Sequence, residues 1–373
     1  MANSNLTNAK KAKQDEFYTQ WSDIEAEMNA YLDYNKDVFK DKVVLLPCDD
    51  PEWSNFTKYF ALRFEDFGIK KLISTSYAPN SNMNGAFYDP RPALFDDVLF
   101  DKDLDFNHGK IFVLDGTDHN ADGRVNIDDI KWEYLEGDGD FRSEEITKLR
   151  DEADIVITNP PFSLFREFVA WLEAGDISYS IIGNMNAVTY KEIFPLIKEN
   201  KIWYGQSIQS GDREFRVPDS YPLEAAGYRT DEEGRSYIKV KGVRWFTNIQ
   251  HGRRHEPLPL MTMNDNLRFN KKVIKNDNSY KTYDNYDAIE VPVTNAIPSD
   301  YEGVMGVPIS FLDKYCPEQF DILGSRRWGK SQELLDVYTG YKMPPESDKK
   351  TTINGKETYD RIFIRHKEKV TKA

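Results

Sequence analysis

The four residues Asn159-Pro160-Pro161-Phe162 are the part of the sequence best suited to chemistry. They follow an apolar run, 154–158, that has the composition of a buried strand. The two prolines stiffen the turn, so the Asn159 side chain and the Pro160 carbonyl point in fixed directions. Two converging acceptors suit an exocyclic amine, which has two N–H donors. Phe162 offers a flat face on which a planar base can stack, and such stacking contributes about 1–3 kcal/mol. The tetrad predicts an amino-group site, and the alternative is a rigid turn without function.

Strand-like and helix-like patterns alternate on both sides of this tetrad. Short apolar runs lie at 42–47, 71–77, 154–158, 178–183 and 201–204, and helical patterns lie at 22–34, 54–64, 144–150, 164–174 and 188–199. The alternation predicts an α/β fold with a doubly wound, mostly parallel, Rossmann-like sheet. Ligands of such sheets bind at the carboxyl ends of the strands, where the tetrad lies.

Differences in composition divide the chain into three parts. Residues 1–14 are expected to form a flexible polar arm, and 15–205 the α/β domain, with an acidic insertion at about 78–135. Residues 206–373 are rich in Gly, Pro and short β-like runs, which predicts an irregular α+β region.

The formal net charge of −14 argues at first against a nucleic-acid partner, because phosphate contacts need Lys and Arg. Most of the excess is local, since residues 89–150 hold 17 Asp and Glu against 8 Lys and Arg. The remaining surface can therefore still bind DNA. The two cysteines, Cys48 and Cys316, cannot form a disulfide framework or a zinc site, so a reducing cytoplasm is expected. The absence of an apolar run near 18 residues predicts no membrane partner.

The tetrad resembles the catalytic motif of amino-group methyltransferases that use S-adenosylmethionine. Its context narrows the resemblance to the EcoRI-type adenine-specific DNA methyltransferases. The likeness runs in order over most of the chain and is weakest at about 78–135 and 206–280. The segments that carry it are 15–20, 48–51, 137–143, 154–167, 182–184, 189–192, 199–203, 283–289 and 303–312.

This resemblance implies methyl transfer from S-adenosylmethionine to the N6 amine of an adenine that is flipped out of double-stranded DNA. Asn159, Pro160 and Phe162 are then the catalytic residues, and no covalent enzyme intermediate is needed. The resemblance also implies a role in restriction-modification or in phage or plasmid self-protection, with a cognate restriction endonuclease as a further partner and GAATTC as the first target to test. The alternatives are a protein-glutamine or RNA methyltransferase and a catalytically dead interaction protein.

The same resemblance implies a set of cofactor-binding positions. Residues 18–19 match the motif that closes over the methionine end of the cofactor, 48–51 the cradle after the first strand, and 140–141 the contacts to its adenine. One carboxylate of the cradle would accept from the cofactor's ammonium group. The alternatives are a packed aromatic arm, carboxylates at a helix N-terminus, and an acidic turn with a core Phe. The implied residues are Tyr18, Thr19, Cys48, Asp49, Asp50, Pro51, Asp140 and Phe141.

Target recognition would fall to the region 206–373. Two basic clusters there suit phosphates and guanine edges, and the alternative for both is a solvated loop. The DNA-binding candidates are Arg244, Arg253, Arg254, Arg326, Arg327 and Lys330.

Residues 118–129 have the spacing of a calcium-binding loop, with side-chain oxygens at positions 1, 3, 5 and 9, a carboxylate at position 12 and Gly123 at position 6. The loop resembles those of dockerins, which also end in Asp. It predicts a structural Ca²⁺ site in the insertion, and the alternative is a metal-free acidic turn. The candidate ligands are Asp118, Asn120, Asp122, Arg124, Asn126 and Asp129.

Overall fold

The structure is a computed structural model that describes residues 19–50, 54–78, 101–209, 212–217, 227–275, 278–328, 332–339 and 351–367. Its contacts divide the chain into two compact units. The first consists of Met1–Ala187 and Gly205–His251, and the second of Val188–Tyr204 and Gly252–Ala373. Within the described ranges, no helix is both long and apolar enough to cross a bilayer.

The helices and strands are as follows. The helices are α1 (Trp21–Tyr34), α2 (Asn55–Leu62), α3 (Lys102–Asn107), α4 (Glu144–Glu152), α5 (Phe165–Ala174), α6 (Phe194–Lys198), α7 (Met263–Phe269), α8 (Lys271–Ile274) and α9 (Gln332–Asp336). The strands are β1 (Val43–Leu46), β2 (Lys71–Ser76), β3 (Lys110–Leu114), β4 (Lys131–Tyr134), β5 (Ile155–Thr158), β6 (Ser178–Asn184), β7 (Trp203–Tyr204), β8 (Asp212–Val217), β9 (Arg229–Thr230), β10 (Ser236–Lys241), β11 (Val243–Thr247), β12 (Ala288–Glu290), β13 (Val304–Val307), β14 (Phe320–Gly324), β15 (Thr352–Ile353), β16 (Lys356–Glu357) and β17 (Ile362–His366). Short 3-10 helices lie at Ile127–Asp129, Phe162–Leu164, Met185–Thr189, Gly252–His255, Thr294–Ala296 and Ile309–Lys314.

Seven strands of the first unit form its central sheet, in the order β4-β3-β2-β1-β5-β6-β11. The inner strands β2, β1, β5 and β6 are parallel: Val44 pairs with Leu72 on one side and with Ile155 on the other. β3, β4 and β11 add antiparallel pairs at the two sides. The α/β fold predicted from the alternating pattern is therefore confirmed. The parallel centre brings the carboxyl ends of β1, β2 and β5 to one edge.

The sheet and one helix differ from the sequence prediction. The acidic insertion contributes β3 and β4, and the region after residue 206 contributes β11, so both supply strands to the central sheet. The helix predicted over 188–199 is reduced to α6. Its first turn contains Pro195, which has no backbone N–H and is tolerated only at the start of a helix.

Helices α1 and α2 pack against each other, and both contribute buried side chains to the core of the first unit. Ser54 caps α2 by accepting the N–H of Phe56. From α1, the fully buried Glu27 accepts the backbone N–H groups of Gln206 and Ser207, at 3.0 and 2.7 Å, and also the Ser207 hydroxyl. Burial raises the pKa of the Glu27 carboxyl. These bonds attach the chain after residue 205 to the N-terminal helix.

The second unit has a four-stranded sheet in the order β12-β13-β17-β14. Aromatic residues dominate its core, where the rings of Tyr286 and Phe363 lie 4.7 Å apart. A largely buried ion pair joins Glu290 to Arg361, with Nε to Oε1 at 3.0 Å.

Candidate active site

Three loops and one turn meet at the carboxyl edge of the parallel strands. Backbone hydrogen bonds hold them together: the N–H of Asp49, after β1, donates to the carbonyl of Thr75 in β2 at 2.7 Å. The N–H of Ala78, after β2, donates to the carbonyl of Asp138 at 2.8 Å. The loop 137–141 therefore lies against the end of β2, while the 159–162 turn follows β5 on the other side of β1.

Asp49 is a buried carboxyl that joins two of these segments. Its Oδ1 accepts the Ser54 hydroxyl at 2.6 Å, and its Oδ2 lies 2.6 Å from Oγ1 of Thr158, the residue directly before Asn159. Burial raises the pKa of Asp49 to about 7, against the opposing effect of the two hydroxyls, and the charge of Asp50 raises it further. Both oxygens of Asp49 are therefore engaged within the protein.

Cys48 makes the sharp turn at the end of β1. Its φ is +67°, a left-handed conformation that non-glycine residues rarely adopt. Cys48 makes this turn without a glycine. Backbone strain of this kind is concentrated at functional sites.

The hydroxyl of Tyr77, just after β2, was not among the sequence predictions. It is buried and lies beside the Cys48 thiol, the Asp140 carboxylate and the backbone of Phe141, yet it forms no hydrogen bond of normal geometry with any described residue. Burial raises the pKa of the Tyr77 phenol well above its ordinary value, so the group is a neutral donor and acceptor. Its position directly after the second parallel strand is the sequence feature by which it could have been predicted.

The loop before Asp140 approaches β2 very closely. Gly139 has a φ of +83°, and a Cβ at this position would lie 2.2 Å from the Ser76 carbonyl oxygen. The Asp140 carboxylate accepts from the Arg142 guanidinium at 2.6 and 2.9 Å, and Arg142 also reaches Glu167 of α5 at 2.9 Å. Burial alone would raise the pKa of Asp140, but Arg142 brings that pKa below its ordinary value.

Phe141 has no exposed surface. Its ring lies 4.9 Å from that of Phe168 and 5.6 Å from that of Trp171, both in edge-on contact. The ring therefore belongs to the core, as in the alternative interpretation of the sequence. It does not line an open cavity in this structure, because aromatic neighbours pack against it.

The predicted catalytic residues follow the fully buried Thr158. Oδ1 of Asn159 and the whole of Pro160 are buried, and Phe162 is half-buried with its ring packed partly against the core. The turn continues at once into a 3-10 helix at Phe162–Leu164 and then into α5. Asn159 is thus held on a short, rigid connection between a buried strand and a buried helix.

Two buried hydroxyls favour a polar ligand at this edge. Oγ1 of Thr19 is buried and forms no hydrogen bond with the described residues, and the Tyr77 hydroxyl is buried as well. The Thr19 carbonyl accepts from Asn55 at 2.7 Å, which places it at the start of α2. Orphaned buried hydroxyls are costly unless a ligand or water satisfies them, so these residues fit a cofactor with hydroxyl and charged groups. The predicted Tyr18 and Pro51 lie outside the described residues.

Three of the six candidate DNA-binding residues are buried in the structure. Arg244, Arg254 and Arg326 are each only 4 % exposed. The guanidinium of Arg244 donates to the carbonyl of Gln209 at 2.6 Å, and that of Arg254 lies over the ring of Trp203 at 3.6 Å. Arg244 and Arg254 lie inside the protein because a backbone carbonyl and an aromatic ring, which a sequence pattern does not show, lie against them.

The other predicted DNA-binding residues are more accessible. Arg253 is half-buried, and burial lowers its pKa. Arg327 is exposed and forms an ion pair with Asp360 at 2.9 Å. Lys330 lies outside the described residues.

The loop 118–129 closes on itself through backbone hydrogen bonds. Asp118 accepts from Gly123 at 2.8 Å, and the buried Asp129 accepts from His119, Asn120 and Asn126 at 2.8–3.2 Å. Among the residues that the structure describes, no group of three or more His, Cys, Asp or Glu side chains is placed to hold a metal ion. The calcium prediction gains no support, since these bonds account for the shape of the loop without an ion.

A mixed α/β sheet with an Asn-Pro-Pro-Phe turn at the carboxyl end of a central strand has the architecture of a Rossmann-like methyltransferase. The chain belongs to the family described as "Adenine-specific methyltransferase EcoRI", whose model matches residues 5–367. It uses S-adenosylmethionine as the family does.

Three individual proteins that are similar to this chain are Type II methyltransferases. The chain is 41% identical to the Type II methyltransferase M.EcoRI of Escherichia coli, with 98% of this chain and 97% of that protein covered. It is 32% identical to the Type II methyltransferase M.MpnI of Mycoplasma pneumoniae, with 97% and 98% covered. The Type II methyltransferase M.MgeORF184P of Mycoplasma genitalium is 31% identical, with 96% and 97% covered. No solved structure gives a significant match.

Proposed function

We propose that this protein is a site-specific DNA methyltransferase that methylates the N6 amine of adenine, and that Asn159, Pro160 and Phe162 carry the reaction. The observation behind the site is the rigid 159–162 turn at the carboxyl end of β5, in a chain of an adenine-specific family. The alternatives, a protein-glutamine or RNA methyltransferase and a dead interaction protein, are not favoured by that membership.

The chain's own residues have simple tasks in this mechanism. The Asn159 side-chain oxygen and the Pro160 carbonyl accept hydrogen bonds from the two N–H groups of the adenine amine, which leaves the nitrogen lone pair directed at the methyl group. Phe162 stacks on the flipped base, worth about 1–3 kcal/mol. Holding the amine in line supplies much of the rate. S-adenosylmethionine, when bound, supplies the electrophilic methyl group.

The cofactor would be held by residues around the ends of β1 and β2. Both oxygens of Asp49 are engaged, so Asp50 is the better acceptor for the cofactor's ammonium group. Thr19 offers a hydroxyl without a hydrogen-bond partner among the described residues, and the buried Tyr77 hydroxyl lies beside Cys48 and Asp140. We assign the remaining sequence-predicted positions to the same site: Tyr18, Cys48, Pro51 and Asp140.

DNA would be contacted by the accessible arginines, Arg253 and Arg327, together with Lys330. We further propose that the protein acts in the cytoplasm on double-stranded DNA, alongside a restriction endonuclease that cuts the same site. GAATTC is the first target to test.

The test is transfer of labelled methyl from S-adenosylmethionine to plasmid DNA, followed by nucleoside analysis. We expect label in N6-methyladenine and its loss in Asn159→Ala. The matched control is Asn35→Ala, an exposed asparagine between α1 and β1, near the amino end of that strand. Label in protein or RNA but not in DNA would favour the alternative enzymes, and full activity of Asn159→Ala would refute the site. Sequencing methylated positions in DNA from an expressing host identifies the target.

A further inference from the structure

Oγ1 of Thr158, next to the proposed catalytic Asn159, has more acceptors around it than it has protons. It lies 2.6 Å from the carbonyl oxygen of Pro47 and 2.6 Å from Oδ2 of Asp49. A hydroxyl donates one hydrogen bond, and a carbonyl oxygen can only accept. If Thr158 donates to Pro47, the contact with Asp49 joins two acceptors unless Asp49 itself carries a proton.

The other oxygen of Asp49 fixes where that proton belongs. Oδ1 accepts the Ser54 hydroxyl at 2.6 Å, and the Ser54 oxygen in turn accepts the N–H of Phe56 at 3.1 Å. A carboxylic acid with its carbonyl at Oδ1 and its O–H at Oδ2 satisfies every one of these contacts. An ionised carboxylate leaves two acceptors pressed together at 2.6 Å.

The surroundings of Asp49 favour the same protonation state. The residue is 4 % exposed, and the nearby charge of Asp50 has the same sign. Burial raises the pKa of Asp49 to about 7. The hydrogen-bond pattern and the burial of the carboxyl therefore lead to one conclusion.

We propose that Asp49 is a protonated carboxylic acid that donates a hydrogen bond to Thr158, and that this bond positions the 159–162 turn against the loop after β1. Asp49 is thus a positioning residue, and it does not accept the cofactor's ammonium group. The inference deepens the proposed function and rests on it, because the turn matters for rate only if Asn159 contacts the adenine.

Substitutions at both ends of the bond separate the two roles of Asp49. In Asp49→Asn, Oδ1 still accepts from Ser54 and Nδ2 donates to Thr158, so the neutral acid is reproduced. We expect Asp49→Ala and Thr158→Val to lower kcat by about 10- to 100-fold with little change in KM for DNA, because the turn is misplaced by a fraction of an ångström to 1 Å. Asp49→Asn should restore kcat to within about threefold of the wild type.

The chain offers a matched control for Thr158→Val. Thr294 is buried in the second unit, and its hydroxyl forms no hydrogen bond with the described residues. Thr294→Val therefore removes a buried hydroxyl without breaking a bond, and kcat should stay unchanged. Equal losses of kcat in Thr294→Val and Thr158→Val would overturn the proposal, because the loss would then reflect the removal of any buried hydroxyl.

An infrared difference spectrum tests the protonation state without any turnover. At about pH 6, below the pKa of about 7, wild type minus Asp49→Asn should show the C=O stretch of a protonated carboxyl. A difference spectrum with only carboxylate bands would overturn the proposal, as would an Asp49→Asn variant that loses cofactor affinity as severely as Asp49→Ala. Full activity of Asn159→Ala would refute the proposed function but leave this infrared band unchanged.

Discussion

Replacing Gly139 with alanine perturbs the loop that carries Asp140 in the candidate cofactor site. Gly139 has a φ of +83°, and the added Cβ would lie 2.2 Å from the carbonyl oxygen of Ser76. The clash is with backbone at the end of β2, so no side-chain rotation relieves it. The loop 137–141 must move away from β2 and from Tyr77.

The expected loss in the free energy of unfolding has two parts. A left-handed backbone conformation costs a residue with a Cβ about 1–2 kcal/mol. Crowding in a packed region adds about 1–3 kcal/mol. We therefore expect Gly139→Ala to lower the free energy of unfolding by about 2–5 kcal/mol. Because a displacement near 1 Å can weaken a site by about a hundredfold, affinity for S-adenosylmethionine should fall by at least about tenfold.

Gly234→Ala is the matched control. Gly234 has a φ of +79°, and no atom lies within 4 Å of the added Cβ, so this variant isolates the backbone cost of about 1–2 kcal/mol. Urea-unfolding midpoints measure the two losses, and calorimetric titration with S-adenosylmethionine measures the affinity. If both variants lose the same stability and both keep wild-type affinity, the close approach to β2 does not shape the cofactor site.

Other predictions test burial and charge. Arg254→Ala should lower the free energy of unfolding by about 2 kcal/mol because it removes a buried cation over an aromatic ring. Arg327→Ala should leave the melting temperature unchanged and reduce the salt dependence of DNA binding by about one charge. The opposite pattern would make Arg254 the DNA-binding residue and Arg327 the structural one. Glu27→Ala should lower the free energy of unfolding, measured in urea, by about 3 kcal/mol or more, since three donors lose their acceptor. A loss below about 1 kcal/mol would show that these hydrogen bonds do not stabilise the fold. The pKa of Asp140 is lower in the folded protein than in the unfolded chain, where it is about 4, so the ionised carboxylate stabilises the fold above that pH. This stabilisation is lost as the pH falls through the folded-state pKa, so the melting temperatures of wild type and Asp140→Asn should converge below about pH 4. A difference that stays constant with pH would exclude the ion pair with Arg142 as its cause.

Local sequence patterns determined the strands and the chemical motif of this protein. A buried parallel strand needs a short apolar run and a helix needs a 3.6-residue stripe, and both signals lie within a few neighbouring residues. The positions of β1, β2 and β5, and the 159–162 turn after β5, were therefore predictable. The antiparallel β3 and β4 were less so, because their place in the sheet depends on pairing with a distant strand.

Only the tertiary structure decided which polar residues are exposed and what each one contacts. Asp49 and Thr158 are 109 positions apart in the sequence and 2.6 Å apart in space. Arg254 looked like part of a surface cluster and is buried over Trp203, 51 positions earlier, at 3.6 Å. Composition and spacing carry no information about such contacts, because burial, and with it the protonation state of Asp49, depends on segments that only folding brings together.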